Sequence, residues 1–191
     1  MQFSQDISLS TELVIGETRI GQLDERRRYS LRLKREDIPA ANKIRGWTIP
    51  KKVGGTVIDG PTTISCLGPD EWFILTTPDG DADTAARLEK LADKTLTSVT
   101  DISHRNVAFL LEGEGATSIL NVGCPLDLSL PAFPVGKSTR SIFENAPVLI
   151  IRTARDIFHV ECWRSFAPYL WTFFGTIAAE HTARLLPSRT R

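Results

Sequence analysis

The sequence predicts an α+β protein made of two small two-layer α/β sandwich lobes. Tyr29, Leu31 and Leu33 alternate with Ser30, Arg32 and Lys34, the period-two pattern of a strand with one buried face. Ala82, Ala85, Leu88, Leu91 and Ala92 recur at helical spacing, so a helix follows the first strands. The same grammar returns in the second half without sequence identity, and long helices are too few for a doubly wound parallel sheet. No Gly-x-Gly-x-x-Gly or P-loop spacing occurs, so a nucleotide has no fingerprint here.

Residues 1–28 carry little pattern beyond a short apolar run at 13–15 and turn arginine-rich at Arg26, Arg27 and Arg28; they are expected to form an arm. Asp24, Glu25, Glu36 and Asp37 nearly cancel the basic cluster, which reads as a solvated face. A short helix is allowed over 38–45. Gly54, Gly55, Asp59, Gly60 and Pro61 supply turn chemistry before a strand at 62–66. Gly68-Pro69-Asp70-Glu71 is a tight turn, because proline presets its second position, and 72–75 completes a hairpin. The helix is expected over 81–94. Strands follow at 98–102 and 107–111, then a helix at 116–121 ended by Gly123-Cys124-Pro125. Pro131, Pro134 and Gly136 stiffen a loop, and 138–143, 147–152 and 158–162 read as three strands. The closing helix, 166–180, presents Phe166, Tyr169, Leu170, Phe173, Phe174 and Ile177 on one face, and 183–191 reads as a frayed tail.

With 191 residues, 41% of them apolar, the chain can bury roughly 70% of its unfolded surface without a disulfide or metal staple. Basic and acidic residues both number 23, so the broad basic face of a nonspecific nucleic-acid binder is absent. The longest mostly apolar stretch, 169–179, falls short of the roughly 18–20 residues that cross a bilayer. The opening MQFSQDISLS lacks the basic start and apolar run of a secretory signal, which predicts a cytoplasmic chain with no membrane partner. Cys66, Cys124 and Cys162 are odd in number and widely spaced; they read as reduced, buried thiols, with no zinc site.

Catalytic groups are scarce. His159 alternates with Glu161 opposite the apolar Phe158, Val160 and Cys162, the pattern of a paired surface histidine. His181 is placed after the last helix as a C-terminal cap. Asp101, Ser103, His104 and Arg105 bring a carboxylate, a hydroxyl, an imidazole and a guanidinium into five residues and could converge on one ligand. Alternatively they form a polar strand break whose side chains satisfy local backbone groups. A Ser103–His104 nucleophile is disfavoured because adjacent strand residues point to opposite faces. Cys124 follows a helix C-terminus, where the dipole opposes a thiolate. Trp163, Arg164, Phe166, Tyr169 and Trp171 concentrate the residue types of interface hot spots.

Four stretches together resemble the gamma subunit family of heterotetrameric sarcosine oxidase: LGPDEWFIL at 67–75, VTDISHRN at 99–106, GCPLDLSLPAFPVGKSTR at 123–140 and WRSFAPYLW at 163–171. The resemblance runs in order over more than half of the chain and is loose over the first 60 residues. It implies an accessory, non-catalytic chain assembled with alpha, beta and delta subunits into a flavoprotein that demethylates sarcosine to glycine, with hydrogen peroxide and either formaldehyde or methylene-tetrahydrofolate as products. It places FAD, FMN, NAD and tetrahydrofolate on the partner subunits and none on this chain. It also implies a ferredoxin-like lobe over 29–97 and an aminomethyltransferase-like, folate-binding-like lobe over 98–182, with Asp101-Ile102-Ser103-His104 similar to a strand of those enzymes. The partner-facing surface is expected around Trp163, Arg164 and Tyr169, with Phe166, Trp171 and the loop holding Cys124 and Phe133. Two other readings stay open. One is a stand-alone folate-binding or one-carbon transfer protein using Asp101, His104 and Arg105; the other is the equivalent subunit of an enzyme for another N-methyl amine.

Overall fold

The structure is a computed structural model and describes residues 12–23, 25–44 and 47–185. Two antiparallel sheets form its centre. The first contains β3 (Arg27–Leu33), β4 (Thr56–Asp59), β5 (Thr62–Cys66), β6 (Glu71–Thr76) and β7 (Thr97–Asp101), in the order β4-β5-β6-β3-β7. Helices α1 (Ile38–Ala41) and α2 (Pro78–Ala92) belong with it. Without β4 the chain order is strand, helix, strand, strand, helix, strand, the ferredoxin-like arrangement expected from sequence. The second sheet has the order β1-β2-β8-β11-β10-β9. Its strands are β1 (Leu13–Ile15), β2 (Thr18–Gln22), β8 (Asn106–Glu112), β9 (Ser138–Phe143), β10 (Ala146–Ala154) and β11 (Ile157–Trp163), with α3 (Ala116–Gly123) and α4 (Ala167–Leu185).

Alternation sorts each sheet into two faces. On the five-stranded sheet, Leu31, Leu33, Ile64, Trp72 and Ile74 pack under Leu88 and Leu91 of α2 and Ile38 of α1. On the six-stranded sheet, Phe109, Phe143, Phe158 and Val160 pack with Leu170 and Phe174 of α4. The remaining faces meet each other, with Phe73 and Leu75 of the first sheet and Leu149 and Ile151 of the second, beside Ile102, closing a third buried cluster. The layers therefore run helix, sheet, sheet, helix.

The arm expected over 1–28 is corrected for its described part. Leu13–Ile15 and Thr18–Gln22 are strands, and β2 pairs with β8 from Arg19↔Glu112 to Gln22↔Phe109. β1 has three residues and pairs only with β2, and β2 is short with its other partner, β8, some ninety positions away, so neither leaves much local periodicity. Arg27 and Arg28 likewise begin β3. Residues 1–11, Asp24 and the Arg45 end of the expected first helix lie outside the described residues. Gly54, Gly55 and Asp59 suggested only turns, yet Thr56–Asp59 pairs with β5. Helix α2 starts a turn before Asp81, because Thr77 accepts the Gly80 amide at 3.3 Å and Pro78 takes the first position, where no amide is needed. Residues 183–185 continue α4, which also encloses His181 and so removes its expected capping role. The rest of the expected tail is outside the described residues. Among the described residues no helix is long and apolar enough to cross a membrane.

Candidate functional site

The seam between the sheets holds charge. Glu161 of β11 points at the first sheet with no solvent exposure. Its Oε2 accepts from Arg28 Nε at 2.8 Å and from Asn106 Nδ2 at 3.3 Å, while Oε1 meets His159 Nε2 at 3.0 Å. Arg28, 4% exposed, also donates through Nη1 to the Arg26 carbonyl at 3.0 Å, and its amide donates to Ser103 Oγ at 2.9 Å. Burial alone would push the Glu161 carboxyl up, but His159 and Arg28 outweigh it and hold the acid below the ordinary glutamate range. Both carboxylate oxygens are occupied by donors. Such a group pins two elements together and is badly placed to take a proton from a substrate.

The expectation that His159 and Glu161 form a surface pair is corrected: both are buried, at 5% and 1% exposure. Along β3 the expected wet face holds at Arg32 and, just beyond the strand, at Lys34, which are exposed, while Arg28, expected in the arm, turns away from solvent into the seam. In both strands the alternation was right; at Arg28, His159 and Glu161 the polar face meets a second sheet instead of water.

Two clefts of about 180 Å³ flank the ion pair and share Asn106. The polar one is lined by Arg26, Arg28, Ser103, His104 and Arg164. The other is mostly apolar, with Leu67, Phe73, Leu149 and Trp163 together with Arg105 and Arg140. The four predicted ligand residues therefore do not converge. Asp101 accepts the Ser103 amide at 2.8 Å, which with the Ser103 side chain holds its carboxyl below the usual range. Ser103 and His104 face the polar cleft, whereas Arg105 lines the apolar one. The pattern is a strand break satisfying its own backbone.

The predicted interface residues also divide. Trp163 is 49% exposed and Tyr169 41%, and Arg164 is exposed too, donating Nε to the His104 carbonyl at 3.0 Å. Phe166 and Trp171 are half-buried against the helix-side core, Trp171 stacking on Phe109 at 5.8 Å. Cys124 and Phe133 are buried in this chain's own core, so they offer no surface to another chain. Arg152 explains the tethering of their loop: Nη1 donates to the Leu128 and Phe133 carbonyls at 3.0 and 2.8 Å, and its guanidinium lies 4.6 Å from the Phe158 ring centre. Sequence gave no sign of that role beyond an arginine at a core-facing strand end. All three cysteines are buried and unpaired. Burial, reinforced by the Glu161 charge, pushes the Cys162 thiol up to about 12.

The layered architecture defines the class: an aminomethyltransferase-like α+β fold. The chain superposes on the glycine cleavage system aminomethyltransferase T from Bartonella henselae with a TM-score of 0.61 and 13% identity, covering 81% of this chain and 44% of that one. It superposes on a chain of the heterotetrameric sarcosine oxidase from Corynebacterium sp. U-96 with a TM-score of 0.80 and 23% identity, covering 94% and 93%. Residues 39–180 match the sarcosine oxidase, gamma subunit family, and the chain belongs to that family. Among curated relatives, the sarcosine oxidase subunit gamma of Corynebacterium sp. (strain P-1) is 32% identical over 126 residues, 65% of this chain and 61% of that protein. Its Arthrobacter sp. counterpart is 32% identical over 117 residues, 60% of this chain and 56% of that one. The matches thus span about three fifths of the relatives' length.

Proposed function

We propose that this chain is the accessory, non-catalytic gamma subunit of a cytoplasmic, flavin-dependent sarcosine oxidase, assembled with alpha, beta and delta subunits. In this reading the complex converts sarcosine to glycine, with hydrogen peroxide and either formaldehyde or methylene-tetrahydrofolate, and its FAD, FMN, NAD and tetrahydrofolate are held by the partner chains. Family membership supports this reading. The observation that carries the non-catalytic role is the state of its best acid–base group: Glu161, His159 and Arg28 are spent on one another inside the seam. The exposed Trp163, Arg164 and Tyr169 supply the partner-facing surface.

Co-expression of the tagged chain with its genomic neighbours tests this directly. A yellow complex of four chains by native mass, consuming oxygen with sarcosine, is the expected result, and Trp163→Ala with Arg164→Ala should reduce its recovery. Oxygen consumption only with a different N-methyl amine would reassign the substrate. A colourless chain that purifies alone and binds tetrahydrofolate, with Asp101→Ala abolishing binding, would overturn the subunit reading in favour of a stand-alone folate protein.

A further inference from the structure

One row of side chains crosses the six-stranded sheet at its upper end. Ile142 stands opposite Pro147, and Trp163 opposite Asn106; because Val148 pairs with Cys162, Pro147 falls opposite Trp163. This row shares its face with Leu149 and Glu161, two residues further along, which the five-stranded sheet covers. Cover ends there, so Ile142, Pro147 and Trp163 remain exposed. Below them Leu67, Phe73 and Leu149 floor the apolar cleft of about 180 Å³. An apolar cavity of about 150 Å³ accommodates a benzene ring, so this cleft has room for one ring-sized side chain.

Charge completes the description. Arg32, Arg105 and Arg140 act together on Glu71. Arg140 is bonded to Glu71, and Arg32 is shared between Glu71 and Asp70. Three guanidinium groups thus face two carboxylates. Arg105 is left over: its Nε donates to Asn106 Oδ1 at 3.2 Å, and its two terminal nitrogens donate to no described residue. Glu161, the other acid at this cleft, is already neutralised by Arg28.

We propose that this cleft is an anchor socket for a partner subunit of the complex, taking one bulky apolar side chain whose near neighbour in sequence is an aspartate or glutamate that pairs with Arg105. The proposal rests on the subunit reading above. An apolar anchor seated in a desolvated pocket beside a matched charge is the arrangement from which binding hot spots are made, and a bare sheet end with an unbalanced guanidinium is its unfilled half.

The test uses the co-expressed complex with a photo-crosslinking phenylalanine analogue at position 142, followed by mass spectrometry of the joined peptides. The expected partner peptide carries a Leu, Ile, Met, Phe, Tyr or Trp within about two positions of an acidic residue. Arg105→Glu and Trp163→Ser should each weaken recovery of the complex about tenfold or more, while Arg155→Glu, an exposed change on the β10–β11 turn, should leave it intact. Reversing the identified acid to lysine should restore recovery with Arg105→Glu. A complex that forms normally yet crosslinks to a peptide without an acid, or ignores Arg105→Glu, overturns the socket alone. Failure of the wild-type chain to form any complex overturns the subunit reading, and the socket with it.

Discussion

At the scale of single residues, Glu161 decides most. Replacing it with glutamine keeps the shape but leaves Arg28 as a buried charge without a counter-ion, a change that costs about 3–5 kcal/mol when one member of a buried pair is removed. The urea midpoint at neutral pH should fall accordingly. The pH dependence has a definite sign. A carboxyl held below its ordinary value contributes stability that is complete above about pH 4.3, the unfolded value, and is lost as pH falls through the lower folded value. Urea midpoints measured from pH 7 down to pH 3 should show the wild type losing its advantage over Glu161→Gln only below about pH 4.3. A gap that closes between pH 7 and 5 would contradict the geometry. The cysteines make a second prediction. With all three buried and Cys162 raised to about 12, a thiol reagent at pH 8 should label none quickly in the folded chain and all three in denaturant. That the cysteines would be buried, free thiols was legible in the sequence, because their odd number and wide spacing argued against a disulfide framework. The His159 partner of Glu161 was legible two residues away, but Arg28 was not, because it lies 133 positions away and no local pattern links them.

At the scale of elements, α2 shows how a sequence reading misses by one turn. The apolar spacing from Ala82 to Ala92 fixed its body, but Gly80 and Asp81 looked like the opening when Thr77 and Pro78 are. Thr77→Ala removes the side-chain acceptor for the Gly80 amide and should cost about 1 kcal/mol. Gly80 is a sharper case. Intrinsic propensity alone favours alanine over glycine in a helix by about 1 kcal/mol. A β-carbon there would lie 2.6 Å from Pro61 Cγ and 2.6 Å from Thr76 Oγ1, so overpacking of about 1–3 kcal/mol should reverse the sign. Gly80→Ala should therefore lower the urea midpoint. A raised midpoint would mean that the β4–β5 turn, β6 and α2 can part without penalty. Most of the other elements were legible for the ordinary reason that their strands alternate and their turns carry proline and glycine. Strands β1, β2 and β4 were not, because they are short, glycine-flanked and held by partners rather than by their own pattern.

At the scale of the whole molecule, the unread feature is the contact between sheets. The faces of β3 and β11 that carry Arg28 and Glu161 looked solvated in isolation, and only the packing of sheet on sheet that brings these two side chains together reveals that this part of each face lies in a shared interior. The candidate ligand residues failed to converge for the same reason: the seam sends Ser103 and Arg105 into different clefts. This arrangement makes the two sheets one cooperative unit. Leu149 and Ile151 of one sheet pack with Phe73 and Leu75 of the other, so neither sheet can unfold without exposing the other's inner face and stranding the charge cluster. Ile151→Ala, at a fully buried seam position, should cost about 2–5 kcal/mol. Hydrogen exchange read peptide by peptide distinguishes a shared loss from a local one. In the wild type the slowest amides of β5 and β6 should exchange with the same opening free energy as those of β10 and β11. In Ile151→Ala both sets should lose protection by equal amounts, although the mutated residue belongs to only one sheet. If β10 and β11 alone became labile, the seam would be a contact between two independently stable layers, and the ion pair at its centre would hold position without coupling their folding.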